Sequence, residues 1–237
     1  MQSAIAGPLT KSPSRLGRLL LAKGLGSLLL AAAVVGSGIM GEQLAGGNLA
    51  IALLANTLAT VAALAALIAL LGPISGAHFN PVLSLVEAAR GRLPPWLAVG
   101  YLAAQIIGCC MGAMLANAMF DLPLVQLSTH ARTGGAQWLA EGVATAGLAL
   151  IALGSPSIRA AAWRVPAWIG AAYWFTASTS FANPAITLGR SLTDTFAGIR
   201  PIDAPGFIGA QLVGGLIGAL IARILFRDQP AAPGQSG

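Results

Sequence analysis

The chain has 237 residues, of which 56% are hydrophobic and only 8% charged, with thirty glycines and a mean hydropathy of +0.78. A soluble domain carries roughly 25% charged residues, so this composition describes an integral membrane protein. The net charge of +6 comes from thirteen basic residues scattered between apolar stretches; they form no basic patch or aromatic-interleaved stripe, which argues against a nucleic-acid partner.

Apolar stretches of about 20 residues recur along the chain, each long enough at ~1.5 Å per residue to cross a ~30 Å hydrocarbon core as a helix. In chain order the predicted spans are Leu16 to Met40, Asn48 to Leu71, Trp96 to Phe120, Trp138 to Gly154, Val165 to Ser180 and Gly206 to Phe226. Lys11, Arg15 and Arg18 precede the long apolar run of the first, which imitates a signal peptide, but that run is too long for a signal h-region and reads as a retained span. Cys109 and Cys110 are neighbours in the third span, a poor geometry for a disulfide or a shared metal, and read as small apolar packing residues. Six crossings put both termini on one side. Lys11, Arg15, Arg18, Arg90, Arg92, Arg159, Arg164, Arg223 and Arg227 fall on that side and only Arg132, Arg190 and Arg200 opposite, so both tails are expected to be cytoplasmic.

Two further segments, Phe79 to Ala89 and Ala182 to Phe196, are apolar but too short to cross. Both contain Asn-Pro near their start. Asparagine is a favoured N-cap and proline suits the first helical turn, so each reads as a half-helix beginning at Asn80 or Asn183. Non-helical backbone at membrane depth survives only against protein or a water-filled cavity, which implies a cavity twice.

The landmarks also repeat. Leu21-Ala22-Lys23-Gly24 matches Leu139-Ala140-Glu141-Gly142, Asn80-Pro81 matches Asn183-Pro184, and Ala104-Gln105 with Gly108 and Gly112 matches Ala210-Gln211 with Gly214 and Gly218, at offsets of 118, 103 and 106 residues. Three spans per half is odd, so the second copy enters the membrane from the opposite face. The expected fold is an all-α membrane protein of six transmembrane helices and two re-entrant half-helices in an inverted repeat. Repeat one covers about 16–120 and repeat two about 137–227, within a membrane domain of 16–227 flanked by tails 1–15 and 228–237. The Gly-x-x-x-Gly pairs Gly108/Gly112 and Gly214/Gly218 read as close helix packing, within or between protomers.

Two half-helix N-termini meeting at the membrane centre place partial positive charge and free amide donors there, a constriction for neutral polar solutes that disfavours cations. At these residues the sequence Ser75-Gly76-Ala77-His78-Phe79-Asn80-Pro81-Val82 and the segment Asn183-Pro184-Ala185 resemble the paired signatures of the major intrinsic protein family, the aquaporins and aquaglyceroporins. The resemblance covers residues 16–227. It implies an hourglass pore in each protomer of a homotetramer, no cofactor, and passive conduction of water or small uncharged solutes. Asn80, Pro81, Val82, Asn183, Pro184 and Ala185 then form the central constriction. In most of the family an arginine follows the second signature; here that position is Ile186. The other filter positions, counted by the family's spacing, are Thr60, Ala171 and Ser180, a ring without arginine or aromatic and therefore wide. The segment Asn183 to Pro201 is itself similar to bacterial aquaglyceroporin-like channels associated with arsenic resistance. That likeness implies neutral arsenous acid as a solute, beside glycerol and water, and the bacterial inner membrane as location.

Four single residues stand out. Arg190, four residues beyond Ile186, reads either as a selectivity charge in the outer vestibule or as an i, i+4 partner of Asp194. His78 has no Cys, His or carboxylate at ligand spacing and is no metal site; it faces the pore or supports the loop. Glu141 and Lys23 are the ionisable side chains well inside spans, a functional signal in itself. The family usually has glutamate at both positions, accepting hydrogen bonds from the re-entrant loops. Glu141 fits; Lys23 only donates, and either reaches a carbonyl before Asn80 or snorkels to the cytoplasmic edge. The alternatives to a neutral-solute channel are a water-selective aquaporin or a secondary transporter, which would need carboxylates along a path. No nucleophile, base and orienting group stand at usable spacing, so no enzyme is expected.

Overall fold

A computed structural model describes residues 13–226. The predicted tails 1–15 and 228–237 fall wholly or mostly outside the described residues, as do Lys11 and Arg227. Eight α-helices follow in order: α1 (Pro13–Leu44), α2 (Leu49–Ser75), α3 (Pro81–Ala89), α4 (Pro95–Met119), α5 (Gly135–Leu153), α6 (Ile158–Phe175), α7 (Pro184–Arg190) and α8 (Ala204–Leu225), with a 3-10 turn at Pro201–Asp203 leading into α8. The first four and the last four helices are the two copies of the repeat. Within each copy three helices span the membrane and the third in order, α3 or α7, is a half-helix.

Local chemistry sets most boundaries. The Asn48 side chain caps α2 by accepting from Ala50 N at 3.0 Å, and Gly76 ends it in the left-handed region at φ +79°, where glycine meets no Cβ penalty. Asn80 caps α3 through Val82 N at 3.0 Å, and Asn183 caps α7 through Ala185 N at 3.0 Å, each with proline at the first helical position. Both expected half-helix starts are therefore present, but the second half-helix is shorter than expected: α7 stops at Arg190 and the chain to Phe196 turns away as loop. The fifth span is also displaced. It starts at Ile158 because Ser157 Oγ accepts from Ala160 N at 3.1 Å, and it ends at Phe175 because Thr179, Ser180 and Ala182 take positive φ. Among the described residues, five helical stretches are long and apolar enough to cross on composition alone; α6 is not among them because Arg159 and Arg164 occupy its first two turns, although its 18 residues give about 27 Å of helix.

The repeat is visible in the packing. In α4, Gly108 and Gly112 lie against the backbone carbonyls of Gly24 and Leu28 on α1; in α8, Gly214 and Gly218 lie against those of Gly142 and Ala146 on α5. Both Gly-x-x-x-Gly pairs thus pack within the protomer. Small residues let helices approach where lipid supplies no hydrophobic drive between them. Cys109 and Cys110 are free thiols, Cys109 buried in the core. The outer surface is an apolar belt, with Leu21, Leu58, Leu70, Val99, Leu139 and Ile224 among its exposed side chains.

A methyl group at Gly214 would overlap the Gly142 backbone, which cannot move away as a side chain can. Gly214→Val is expected to cost at least ~1–3 kcal/mol, seen as a lowered midpoint of thermal unfolding in detergent. Gly17→Ala, whose methyl meets open space, is expected not to lower it.

Candidate functional site

The two half-helices meet tip to tip at the centre of the molecule, and each asparagine serves both. Asn80 Oδ1 caps its own helix while Nδ2 donates to Ala182 O at 2.6 Å. Asn183 Oδ1 caps its own helix while Nδ2 donates to Phe79 O at 2.7 Å. Ala182 and Phe79 are equivalent at the repeat offset of 103, so the exchange is reciprocal. It satisfies the polar groups of two loops that would otherwise be orphaned at membrane depth. Pro81, Val82, Pro184 and Ala185, the remaining expected members of the centre, are all buried.

A cavity with about 60 Å³ of water-accessible volume runs past this junction, room for a short file of water-sized molecules. On the side where α2 begins and α6 ends its wall carries Thr60, Tyr173, Ser180, Ile186 and Arg190; at the centre stand Asn80 and Asn183; on the opposite side it is apolar, with Leu64, Ile68, Leu83 and Val165. Three of the four expected filter residues, Thr60, Ser180 and Ile186, therefore line one cavity. Ala171 does not: it lies exposed on the outer face of α6. Val165, Ile169 and Tyr173, spaced by four, form the cavity face of α6, and Tyr173 Oη lies 3.4 Å from Thr60 Oγ1. The expectation of a ring without an aromatic is overturned, and the opening is narrower than an alanine would leave it.

Arg190, offered by the sequence as a charge of the outer vestibule, stands on the same wall. Arg190 is buried, lines the cavity, donates through Nε to Ala197 O, and places its guanidinium carbon 3.3 Å from the centre of the Phe181 ring. Its Nη1 is buried without a partner. The i, i+4 pair with Asp194 does not form, because α7 ends before that turn. Asp194 instead accepts from the amide of Thr129 at 2.8 Å and from its hydroxyl at 3.0 Å. A second guanidinium, one the sequence offered only as a topology charge, comes from the loop between α4 and α5. Arg132 donates to Gly198 O at 2.7 Å, Phe196 O at 3.3 Å and Ser178 O at 3.4 Å, and lies 5.1 Å from the same Phe181 ring. Two cations against one aromatic ring stand beside the cavity, and each gains from the ring quadrupole.

The loop supports differ between the repeats. Glu141, fully buried, accepts from Ser178 Oγ at 2.6 Å, Phe181 N at 2.8 Å, Ala182 N at 2.8 Å and Gln211 Nε2 at 2.6 Å. Lys23, also fully buried, donates to His78 O at 3.1 Å and sits 4.6 Å from the centre of the Tyr101 ring. It reaches the loop carbonyl, and its burial rules out snorkelling. His78 itself does not line the cavity; its carbonyl accepts from Lys23 and from Gln105 Nε2. Gln105 and Gln211, which the sequence offered only as repeat landmarks, are the matching glutamine braces: Gln105 also donates to Ser84 Oγ on α3 and Gln211 to Thr187 Oγ1 on α7, both at 2.9 Å.

A family model described as Major intrinsic protein matches residues 10–155. The chain is 52% identical over 220 residues to "Aquaglyceroporin AqpS" of Rhizobium meliloti (strain 1021), covering 92% of this chain and 93% of that one. It is 31% identical over 226 residues to "Aquaporin Z" of Brucella melitensis biotype 1, covering 86% and 92%. Among solved structures, the aquaglyceroporin from Plasmodium falciparum superposes with a TM-score of 0.67 at 18% identity, over 90% of this chain and 96% of that one, a likeness of fold.

Outside the spans, two carboxylates tie the loops over the site. The Thr129 amide holds Asp194 below the ordinary value of 3.8. The Arg200 guanidinium, with the Arg132 amide at 2.8 Å, holds Asp203 below it as well. A carboxylate whose pKa is depressed by folding contributes stability above its unfolded pKa and loses it as pH falls through the folded one. The amides of Thr129 and Arg132 are thus expected to stay protected from hydrogen exchange at neutral pH and to open once pH drops below 3.8 and through the depressed values. Asp194→Asn should weaken protection at Thr129 at every pH and remove its acid dependence.

Proposed function

The chain belongs to the major intrinsic protein family, and from that premise we propose that it is a passive aquaglyceroporin-like channel for small uncharged solutes, glycerol, neutral arsenous acid and water among them. The observation that carries this reading is the single cavity in which two half-helix N-termini and two asparagine amides stand at the centre, an apolar wall on one side and hydroxyls with a guanidinium on the other. A polyol or a trihydroxide needs donors and acceptors along one edge and tolerates apolar contact on the other, whereas an ion would have to shed its hydration without repayment. Arg190 would supply the donor and the cation barrier of the outer mouth, and Arg132 would hold Phe181 beneath it. Thr60, Tyr173, Ser180 and Ile186 would form the rest of that filter.

The similarity to a protein named aquaglyceroporin and the isoleucine in place of the family's arginine support the wider solute range. The Tyr173–Thr60 contact favours the second reading, a water-selective pore. Coupled transport is disfavoured because, among the described residues, no carboxylate lines the cavity. We further place the pore domain at 16–227, both tails in the cytoplasm of a bacterial inner-membrane protein, and four protomers in the assembly. The outward groove lined by Trp138, Leu139, Val143, Val213 and Ile217 offers an apolar face to a neighbouring subunit.

Stopped-flow light scattering of proteoliposomes tests the reading. Water, glycerol and arsenous acid are each expected to cross faster than in protein-free vesicles, and Ile186→Arg to suppress the two solutes more than water. Fast water with neither solute establishes the water-selective reading, and no flux above protein-free vesicles overturns the channel. Arg190→Ala is expected to raise cation leak more than tenfold, since one unit charge even ~10 Å from the path at an effective dielectric of ~20 contributes ~1.7 kcal/mol, and Arg190 lines the cavity itself. Unchanged leak and solute ratio would remove Arg190 from the filter.

A further inference from the structure

The two re-entrant loops are equivalent at an offset of 103, and the peptide between His78 and Phe79 corresponds to the one between Phe181 and Ala182. The two are held by opposite ends. In repeat two the Ala182 N–H faces the spanning helices and bonds Glu141. In repeat one the His78 carbonyl faces them and bonds Lys23 and Gln105. The backbone agrees: Ala182 sits at φ +48° whereas Phe79 is not in the positive-φ region, although the preceding pair, Ala77 and Ser180, match at +50° each. The Phe79 N–H, the counterpart of the one Glu141 holds, bonds Ala77 O at 3.0 Å instead. The lining follows the same asymmetry. Ser180, Phe181, Ala182 and Asn183 all border the cavity, while on the other side Ala77, Phe79 and Asn80 do and His78 does not.

The cause is the chemistry of the residue at the shared position on the spanning helix. A carboxylate only accepts and draws an N–H; an ammonium only donates and draws a carbonyl. The glutamines amplify the choice, because an amide N–H₂ bonds whichever oxygen is presented: Gln211 bonds the Glu141 carboxylate and Gln105 bonds the His78 carbonyl.

We infer that Lys23 is a specificity-determining positioning residue: by turning the His78–Phe79 peptide, it withdraws a hydrogen-bond acceptor from the α3 side of the pore and leaves that half apolar. The remaining wall there is Leu64, Ile68, Leu83, Leu148 and Val165, which offers a water file no replacement for the lost carbonyl. A solute with a carbon face loses less by this than water does. The consequence is a pore biased toward glycerol-like solutes over water from its α3 half, independently of the filter on the α7 side. The inference rests on the channel reading for its functional consequence, and on geometry alone for the orientation of the peptide.

The test compares Lys23→Glu with Lys23→Met in proteoliposomes, reading water and glycerol permeability in the same preparation. Glutamate should draw the Phe79 N–H, release the His78 carbonyl toward the pore, and raise the water-to-glycerol ratio about fivefold, the worth of one net hydrogen bond. Methionine removes the ammonium without adding an acceptor; Gln105 alone then holds the carbonyl, and the ratio should rise by less than it does in Lys23→Glu. A Lys23→Glu ratio equal to wild type, or an equal shift in both variants, overturns the inference. An experimental density map of the wild-type protein decides the orientation even where the glutamate variant fails to fold: a His78 carbonyl turned into the pore overturns it, and one turned to Lys23 upholds it. Wild-type vesicles with no flux defeat the channel reading, not the peptide assignment.

Discussion

Everything in this structure depends on bringing two ends of polypeptide into the middle of a membrane and pairing the backbone groups that this exposes. A half-helix that starts at the bilayer centre exposes amide hydrogens at its tip, and the loop that delivers it exposes carbonyls. The protein meets both demands by exchange: Asn80 caps α3 and donates to the loop of α7, and Asn183 caps α7 and donates to the loop of α3. Neither half is complete alone. The glycine-lined contacts of α1 with α4 and of α5 with α8 bring the flanking helices close enough to brace those loops from behind. The cavity is what remains between the braced loops and the inner faces of α1, α2, α5 and α6.

The inverted repeat gives the pore two halves of similar backbone and unlike chemistry. On the α7 side the wall carries Thr60, Tyr173, Ser180 and Arg190, and two guanidiniums pack against the ring of Phe181. On the α3 side it is aliphatic. Loop support diverges in the same sense, with the Glu141 carboxylate reading amide hydrogens on one side and the Lys23 ammonium reading a carbonyl on the other. A passive pore needs binding weak enough to release solute at both mouths, and one polar half joined to one apolar half meets that need without a site that holds the solute.

Features governed by strong local rules were legible in the sequence. Asparagine followed by proline has few roles other than an N-cap and a first helical turn, and two such pairs within a repeat marked the starts of both half-helices and the point where they meet. Positions that depend on loop geometry were not legible. Counting back twelve residues from Asn183 reached Ala171, but the segment from Thr176 to Ala182 is irregular, with three residues at positive φ, and the residue that faces Thr60 is Tyr173. Arg190 and Asp194 looked like neighbours on a helix that in fact ends between them. Arg132 carried no local signal, since a loop arginine is equally at home in solvent. Lys23 left two alternatives open because its partner is set by the direction of one peptide plane, which no pattern of side chains records.

The central claim is that solute passes through the cavity between the two asparagine-capped half-helices of a single protomer. The most direct measurement places one thiol in that cavity, as Thr60→Cys in a chain whose Cys109 and Cys110 are replaced by alanine, and follows glycerol and water flux in vesicles before and after complete reaction with a bulky reagent that forms a mixed disulfide. The account predicts that both fluxes fall to the protein-free level on labelling and recover when the adduct is reduced off. Flux that persists at full labelling, verified by mass, would contradict it and place the path elsewhere.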